Sequence, residues 1–200
     1  GRVAGDKLKG RLLLTDAELR RVASARDEIR KLPIVIDDGS AKTVSKIRSQ
    51  ARLARRKHGA DVIIVDHIGL IHPDSDNRGE SRQQHIGKCS RMLKNLARDL
   101  KIPVIGLAQL NRNNVERQDK RPTISDLRES GDIEQDADTV LLIHRPDYYD
   151  REDRPGQAEI IVGKQRDGGT GIVHVKFTKE FTRFEDLPDQ IPPGVIDDVF

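Results

Sequence analysis

The run ADVIIVDHIGL, residues 60–70, decides how the rest of this 200-residue chain is read. Four apolar residues, Val62 to Val65, lead straight into Asp66. β-branched side chains favour an extended backbone, and an unbroken apolar run suits a strand covered on both faces. Nucleotide-hydrolysing α/β proteins bring a carboxylate to magnesium in this way. The ion takes hard oxygen ligands and keeps several waters, so one or two carboxylates suffice. An Asp that merely closes the following turn is the plainer reading of Asp66 taken alone. The usual partner of such a strand, a G-x-x-x-x-G-K-[ST] phosphate loop, is missing. Gly87-Lys88 is followed by Cys89 and Gly163-Lys164 by Gln165, and neither has the upstream glycine at the required spacing. The first residue is Gly1, not Met, and the chain reads as the downstream part of a larger ATPase.

Working outward, helices and strands alternate. Thr15 and Glu18 form a capping box. Leu19, Val22, Ala23 and Ile29 follow at helical spacing, and Pro33 ends that helix. Ile34–Ile36 reads as a short strand closed by Asp37-Asp38-Gly39. A second helix is expected from about Thr43, with Val44, Ile47, Ala51 and Ala54 as its apolar stripe and Gly59 as its cap. A third covers about Glu80–Leu100, with Ile86, Cys89, Leu93, Leu96 and Leu100 on one face, where Cys89 is a core residue. Pro103–Ala108 is a further apolar strand ending at Gln109. Asn111–Ser130 is polar and basic without a strong period. Asp138–His144 is a fourth strand. Ala158–Lys164 and Gly171–Phe177 alternate apolar and polar residues about a glycine-rich turn, the pattern of a β-hairpin. This order implies an α/β fold with a mostly parallel sheet. Ligands of such sheets gather at the carboxyl ends of the strands, which makes Asp66, Gln109 and Asp138 the first residues to consider.

Composition narrows the class. The charged fraction is 34% and the hydrophobic fraction 35%, with no Trp, and no apolar run is long enough to span a membrane. A lone Cys89 excludes an internal disulfide framework and fits a reducing cytoplasm. The net charge of +3 hides an asymmetry, because residues 1–60 hold sixteen Lys or Arg against seven Asp or Glu. A basic half is compatible with nucleic acid, although solvated helix surfaces account for the charge equally simply. The six histidines show no zinc spacing, and nothing marks a nucleophile elbow.

Several polar residues suit phosphate chemistry. Gln109 presents an amide that can hold a water or a phosphate oxygen. Lys164 and Arg166, two residues apart, project to the same face of an extended segment. A pair of cations suits a phosphate chain, and arginine adds a planar fork. Exposed charge at a hairpin is the plainer reading. Arg112, Arg117, Lys120, Arg121 and Arg128 lie in the polar region, where backbone phosphates of a single strand would supply affinity. The scarcity of aromatics argues against base stacking.

The run RPTISDLRESGDIEQDADTVLLIHRPDYYD, residues 121–150, draws these signals together. It resembles the RecA-like motor domain of DnaB-type replicative helicases. The strand Val62–Asp66, GLAQLNR at 106–112 and GKQRDGGTG at 163–171 follow in that family's order and spacing, so the resemblance covers about Leu12 to Leu187. It implies a RecA-like P-loop NTPase core, with a mostly parallel sheet flanked by helices and a C-terminal β-hairpin. Residues 1–187 would be part of the ATPase domain, and 188–200 an acidic, Pro-containing tail. The implied activity is that of an ATP-dependent 5′→3′ DNA helicase in the cytoplasm. Such a helicase is a homohexameric ring that hydrolyses ATP with Mg2+ between subunits and passes single-stranded DNA through its channel. Primase and a helicase loader are the partners implied. Asp66 would be the magnesium ligand, and Gln109 the phosphate-sensing glutamine. Lys164 and Arg166 would reach the adjacent subunit's nucleotide, with Arg166 as the arginine finger. Arg112, Arg128, Glu129 and Gly131 would line the DNA, with Glu129 orienting Arg128 or backbone.

Where the family commonly has Tyr-Leu-Gln after the metal carboxylate, this chain has His67-Ile68-Gly69. The phosphate loop and catalytic glutamate belong upstream of Gly1. Two alternatives stand beside the helicase: a RecA-type recombinase or ring ATPase without unwinding activity, and a non-catalytic DNA-binding fragment.

Overall fold

The computed structural model describes residues 3–10, 12–74, 79–111 and 117–187, with residues 128–131 known by their backbone alone. The chain divides into two compact units. One comprises Gly1–Ile34, Ile143–Val162 and Gly168–Phe200; the other comprises Val35–Leu142 and Gly163–Asp167.

In the first unit, α1 (Gly5–Leu8) precedes α2 (Asp16–Ile29). The capping box expected at Thr15 is present: Glu18 N–H donates to Thr15 Oγ1, and Thr15 N–H donates to Glu18 Oε2 at 2.8 Å. Lys7 Nζ donates to the same carboxylate at 2.7 Å. These contacts hold the Glu18 carboxyl down to about 2, the Lys7 bond first and the Thr15 backbone next. The apolar stripe of α2 does not behave as expected, because no residue of the helix is buried.

Ile34–Ile36, expected as a short strand where the second unit begins at Val35, forms none. An apolar run becomes a strand only when a neighbour takes its backbone hydrogen bonds, and among the described residues none pairs with Val35 or Ile36. The unit's first helix is α3 (Val44–His58), capped by Thr43 and stopped by Gly59, whose φ of 64° is the left-handed conformation glycine adopts without strain. Then come β1 (Ile63–Val65), a 3-10 turn at Ile68–Leu70, α4 (Arg82–Leu100) and β2 (Val104–Gly106). A second capping box, Ser81 with Gln84, starts α4. The strands are parallel, Ile63 opposite Val104 and Val65 opposite Gly106. A parallel pair needs a crossover connection, and α4 lies within it. The core joins Val44 and Ala51 of α3, Ile86, Cys89, Leu93 and Leu96 of α4, and Ile68, Ile71 and Ile133. Burial, with the charges of Glu80 and Asp74, pushes the Cys89 thiol up to about 11, so it is a packing residue as its sequence position implies.

The polar region after β2 contains a kinked 3-10 segment, Ile124–Ser130, followed directly by α5 (Gly131–Asp136). Two glycines admit it. A Cβ on Gly87 would collide with the Asp132 side chain beside α4, and one on Gly163 would meet Ile124 Cγ1 at 2.9 Å.

The remaining elements are β3 (Thr139–His144), α6 (Pro146–Tyr149), β4 (Gln157–Gln165), β5 (Gly171–Thr178) and β6 (Arg183–Asp186). The last four strands form one sheet in the order β3-β4-β5-β6. β4 and β5 are antiparallel, Gln157 opposite Lys176 and Val162 opposite Gly171, which is the expected hairpin. Parallel pairing is thus found in β1–β2, and antiparallel pairing in β4–β5–β6. In the first unit's share of this sheet, Glu159 is 1% exposed and is neutralised by Arg154, as a buried carboxylate requires.

Candidate functional site

Two groups of expected site residues lie in the second unit. The first is at the carboxyl ends of β1 and β2. Val65 accepts a hydrogen bond from Leu107 N–H at 2.9 Å, and Ile68 N–H donates to the Leu107 carbonyl at 2.9 Å. This stitching fixes the segments on which Asp66 and Gln109 stand, one just past each parallel strand. Asp66 is solvent-exposed. Among the described residues no cluster of three or more His, Cys, Asp or Glu could enclose a metal. Asp66 itself offers hard oxygen donors, the ligand type that magnesium takes.

Gln109 borders a cleft of about 210 Å3, also lined by His67, Arg82, Asn111, Asp126 and Leu127. The departures at His67 and Gly69 accommodate one another. A Cβ on Gly69 would stand 3.1 Å from the His67 ring, so the imidazole lies over a position where any larger side chain would press on it. Beyond Gln109, Asn111 N–H donates to the Asp126 carbonyl at 3.0 Å, tying the segment after β2 to the 3-10 segment.

Asp126 is the buried anchor of that segment. It accepts from Thr123 N–H at 2.8 Å and from Arg117 Nη2 at 2.6 Å. Burial pushes its carboxyl up, but the Thr123 amide and the Arg117 guanidinium outweigh it, and the carboxyl lies below its ordinary range. Arg117 also donates to the Arg121 carbonyl and to Thr123. This arginine, one of the basic residues weighed for a single-strand track, is engaged within the fold by these bonds. Of the DNA-lining candidates, Arg112 lies outside the described residues. Arg128 and Glu129 fall in the 3-10 segment, and Gly131 opens α5.

The second group is where β4 enters the turn of the β4–β5 hairpin. Lys164 Nζ donates to the carbonyl oxygens of Glu134 at 2.5 Å, Gln135 at 3.4 Å and Ala137 at 2.8 Å. The last carbonyls of a helix lack intrahelical partners, and a cation there also suits the helix dipole. Arg166 Nη1 donates to Asp138 Oδ1 at 3.0 Å. Lys94 of α4 takes Asp138 Oδ2. The Lys94 bond foremost, with further attraction from Arg166 and Lys164, outweighs burial and holds the Asp138 carboxyl below its ordinary range. The same-face geometry of Lys164 and Arg166 was legible from their spacing. Lys94 was not, since it is 44 residues from Asp138 and carries no motif.

A parallel strand pair followed by a carboxylate and an amide, and an antiparallel hairpin with paired cations at its turn end, are features of a RecA-like α/β domain. The model of the DnaB-like helicase C-terminal domain matches residues 1–186, and the chain belongs to that family. It is 43% identical over 183 residues to the replicative DNA helicase DnaB of Mycobacterium leprae (strain TN), covering 91% of this chain and 30% of that one. It is 41% identical over 187 residues to the replicative DNA helicase DnaC of Bacillus subtilis (strain 168), covering 90% and 41%. The chain thus spans less than half the length of these relatives. Among solved structures, a DnaB-like replicative helicase, studied with its interactions with primase, superposes with a TM-score of 0.85 at 38% identity, over 92% of this chain and 45% of that one. A separately solved ATPase domain superposes equally well, over 92% and 66%. No described helix is long and apolar enough to cross a membrane.

Proposed function

We propose that this chain is part of the motor domain of a cytoplasmic, ATP-dependent replicative DNA helicase. The motor would act as a hexameric ring and translocate 5′→3′ on single-stranded DNA. The observation that carries this reading is the family match over residues 1–186, which takes in both groups of site residues. Its support in geometry is the placement of Asp66 and Gln109 at the carboxyl ends of paired parallel strands, where α/β sheets bind ligands.

Asp66 holds the magnesium ion, which when bound neutralises charge on the transferring phosphoryl group. Gln109 contacts the terminal phosphate, and its segment is hydrogen-bonded through Asn111 to the 3-10 segment that precedes α5. Arg166, with Lys164 beside it, serves the nucleotide of the neighbouring subunit. An arginine supplied in trans contributes on the order of a thousandfold or more to phosphoryl transfer. Arg112, Arg128 and the Gly131 amide contact DNA phosphates, and Glu129 orients Arg128. Residues 1–187 form part of the ATPase domain and 188–200 its tail. Primase and a loader are the partners.

Without a phosphate loop, the 200 residues alone bind nucleotide poorly and do not turn it over; DNA-stimulated ATPase in the purified chain would sink this. In the full-length protein, Arg166→Ala abolishes ATP turnover and leaves nucleotide binding largely intact. A normal rate in that variant removes the finger assignment. A forked-duplex unwinding assay beside a strand-exchange assay separates helicase from recombinase.

A further inference from the structure

The two cations assigned to a neighbour's nucleotide are both engaged within their own chain, and one short stretch, Glu134–Asp138, holds both. Lys164 caps the end of α5. Arg166 is held twice by Asp138: its backbone N–H donates to the Asp138 carbonyl at 2.9 Å, and its guanidinium donates to Oδ1 at 3.0 Å. The other oxygen of the same carboxylate takes Lys94. Asp138 therefore divides its charge between a cation fixed on α4 and one at the turn end of the hairpin.

The backbone bond belongs to strand pairing, but the side-chain bond is of another kind. The Arg166 and Asp138 side chains are 57% and 54% exposed, so water competes for the pair. Exposed pairs of this sort are weak. A polyphosphate offers the guanidinium more charge and two oxygens in fork geometry. A weak carboxylate partner beside a stronger trans partner is what a reversible restraint requires.

We propose that Asp138 is a latch on Arg166: it holds the guanidinium in cis and must release it before Arg166 reaches a neighbouring subunit's nucleotide, and Lys94 weakens the latch by sharing the carboxylate. Asp138 is a positioning residue in this scheme, and the proposal rests on the finger reading above. The latch also has a route to DNA. The Ile124–Ser130 segment runs directly into α5, and only Ala137 separates α5 from Asp138. A strand that displaces this segment pulls on the backbone carrying the latch. Protonation is not the trigger near neutral pH, because an aspartate is ionised there and Lys94 lowers its carboxyl further.

A purely structural role predicts that removing Asp138 or its partner Lys94 lowers activity. The latch predicts opposite signs. In the full-length protein, Asp138→Asn raises DNA-free ATP turnover about two- to fivefold, the range expected for losing one exposed ion pair, and shrinks the stimulation by single-stranded DNA by the same factor. Lys94→Met leaves Arg166 a carboxylate with one competitor fewer and lowers DNA-free turnover by a similar factor. Wild-type DNA-free turnover in Asp138→Asn, or a fall in both variants, overturns the latch. Should Asp138→Asn fail to assemble, Lys94→Met decides: unchanged or raised DNA-free turnover overturns it. Arg166→Ala run in parallel keeps the two readings apart. If that variant is inactive while the latch variants behave as wild type, only the latch fails. If it turns over normally, the finger assignment fails and the latch with it.

Discussion

Helices α2 and α4 begin alike and end differently. Each opens with a capping box, Thr15 with Glu18 in one and Ser81 with Gln84 in the other. Each carries apolar residues at helical spacing. Yet α4 buries Ile86, Cys89, Leu93 and Leu96, while α2 buries nothing, and Leu19 and Ile29 stand 50% and 57% exposed. The difference teaches that a period of 3.6 specifies a helix and a face, but not the surface that covers the face. In α4 tertiary packing carries the helix. In α2 the described contacts that hold it are polar and local, at its first turn.

Substitutions can break this contrast or sharpen it. Leu96, 2% exposed in the α4 core, should give the largest effect. Leu96→Ala lowers stability by about 2–5 kcal/mol, read as a shift of the urea midpoint at constant slope. Next comes Gly87→Ala, which forces the α4 surface into Asp132. It should cost about 1–3 kcal/mol as overpacking, and a loss of protection in α5 amides would show which helix gives way. A neutral result there would mean that α5 is not pressed on α4.

At α2 the expected losses are smaller. Thr15→Ala removes one cap and costs the helix about 1 kcal/mol, visible as faster exchange of its first-turn amides. Acid should act on the same turn. The folded Glu18 carboxyl lies at about 2, below its ordinary value. Its contribution is complete above about pH 4.3, the unfolded glutamate value, and is lost as the pH falls through about 2. Exchange at the α2 start should therefore quicken over that window while the α4 core stays protected. Leu19→Ser, on the exposed face, should change stability by less than about 0.5 kcal/mol. A loss as large as that of Leu96→Ala would show that the α2 face is covered after all.

How far the sequence could be read follows the same division. Features set within one or two turns were legible: the capping box at Thr15, Gly59 as a stop, the strand into Asp66, and the hairpin about Arg166–Thr170. Features that need a distant partner were not. Ile34–Ile36 has the composition of a strand, but composition does not supply the neighbour that a strand must bond. The polar stretch before α5 showed no period because it is built from a kinked 3-10 turn anchored by Asp126, whose partners Thr123 and Arg117 are ordinary polar residues in the sequence. The positions of Asp66 and Gln109 after the parallel strands could be read from where the apolar runs stop. The links between them could not, because Lys94, Asp138 and Arg166 come together only when α4, β3 and β4 are in place.

The grip of Lys164 on three carbonyls has a consequence for which replacements this hairpin tolerates. A compact ammonium can sit at the centre of oxygens fanned around a helix end, whereas a flat guanidinium presents its donors in one plane. Arginine at 164 would keep the charge and lose the fit. Lysine at 166 would keep the charge and lose the fork. The two neighbouring cations are therefore not interchangeable: each position requires its own shape, and exchanging them would leave the net charge untouched while undoing both.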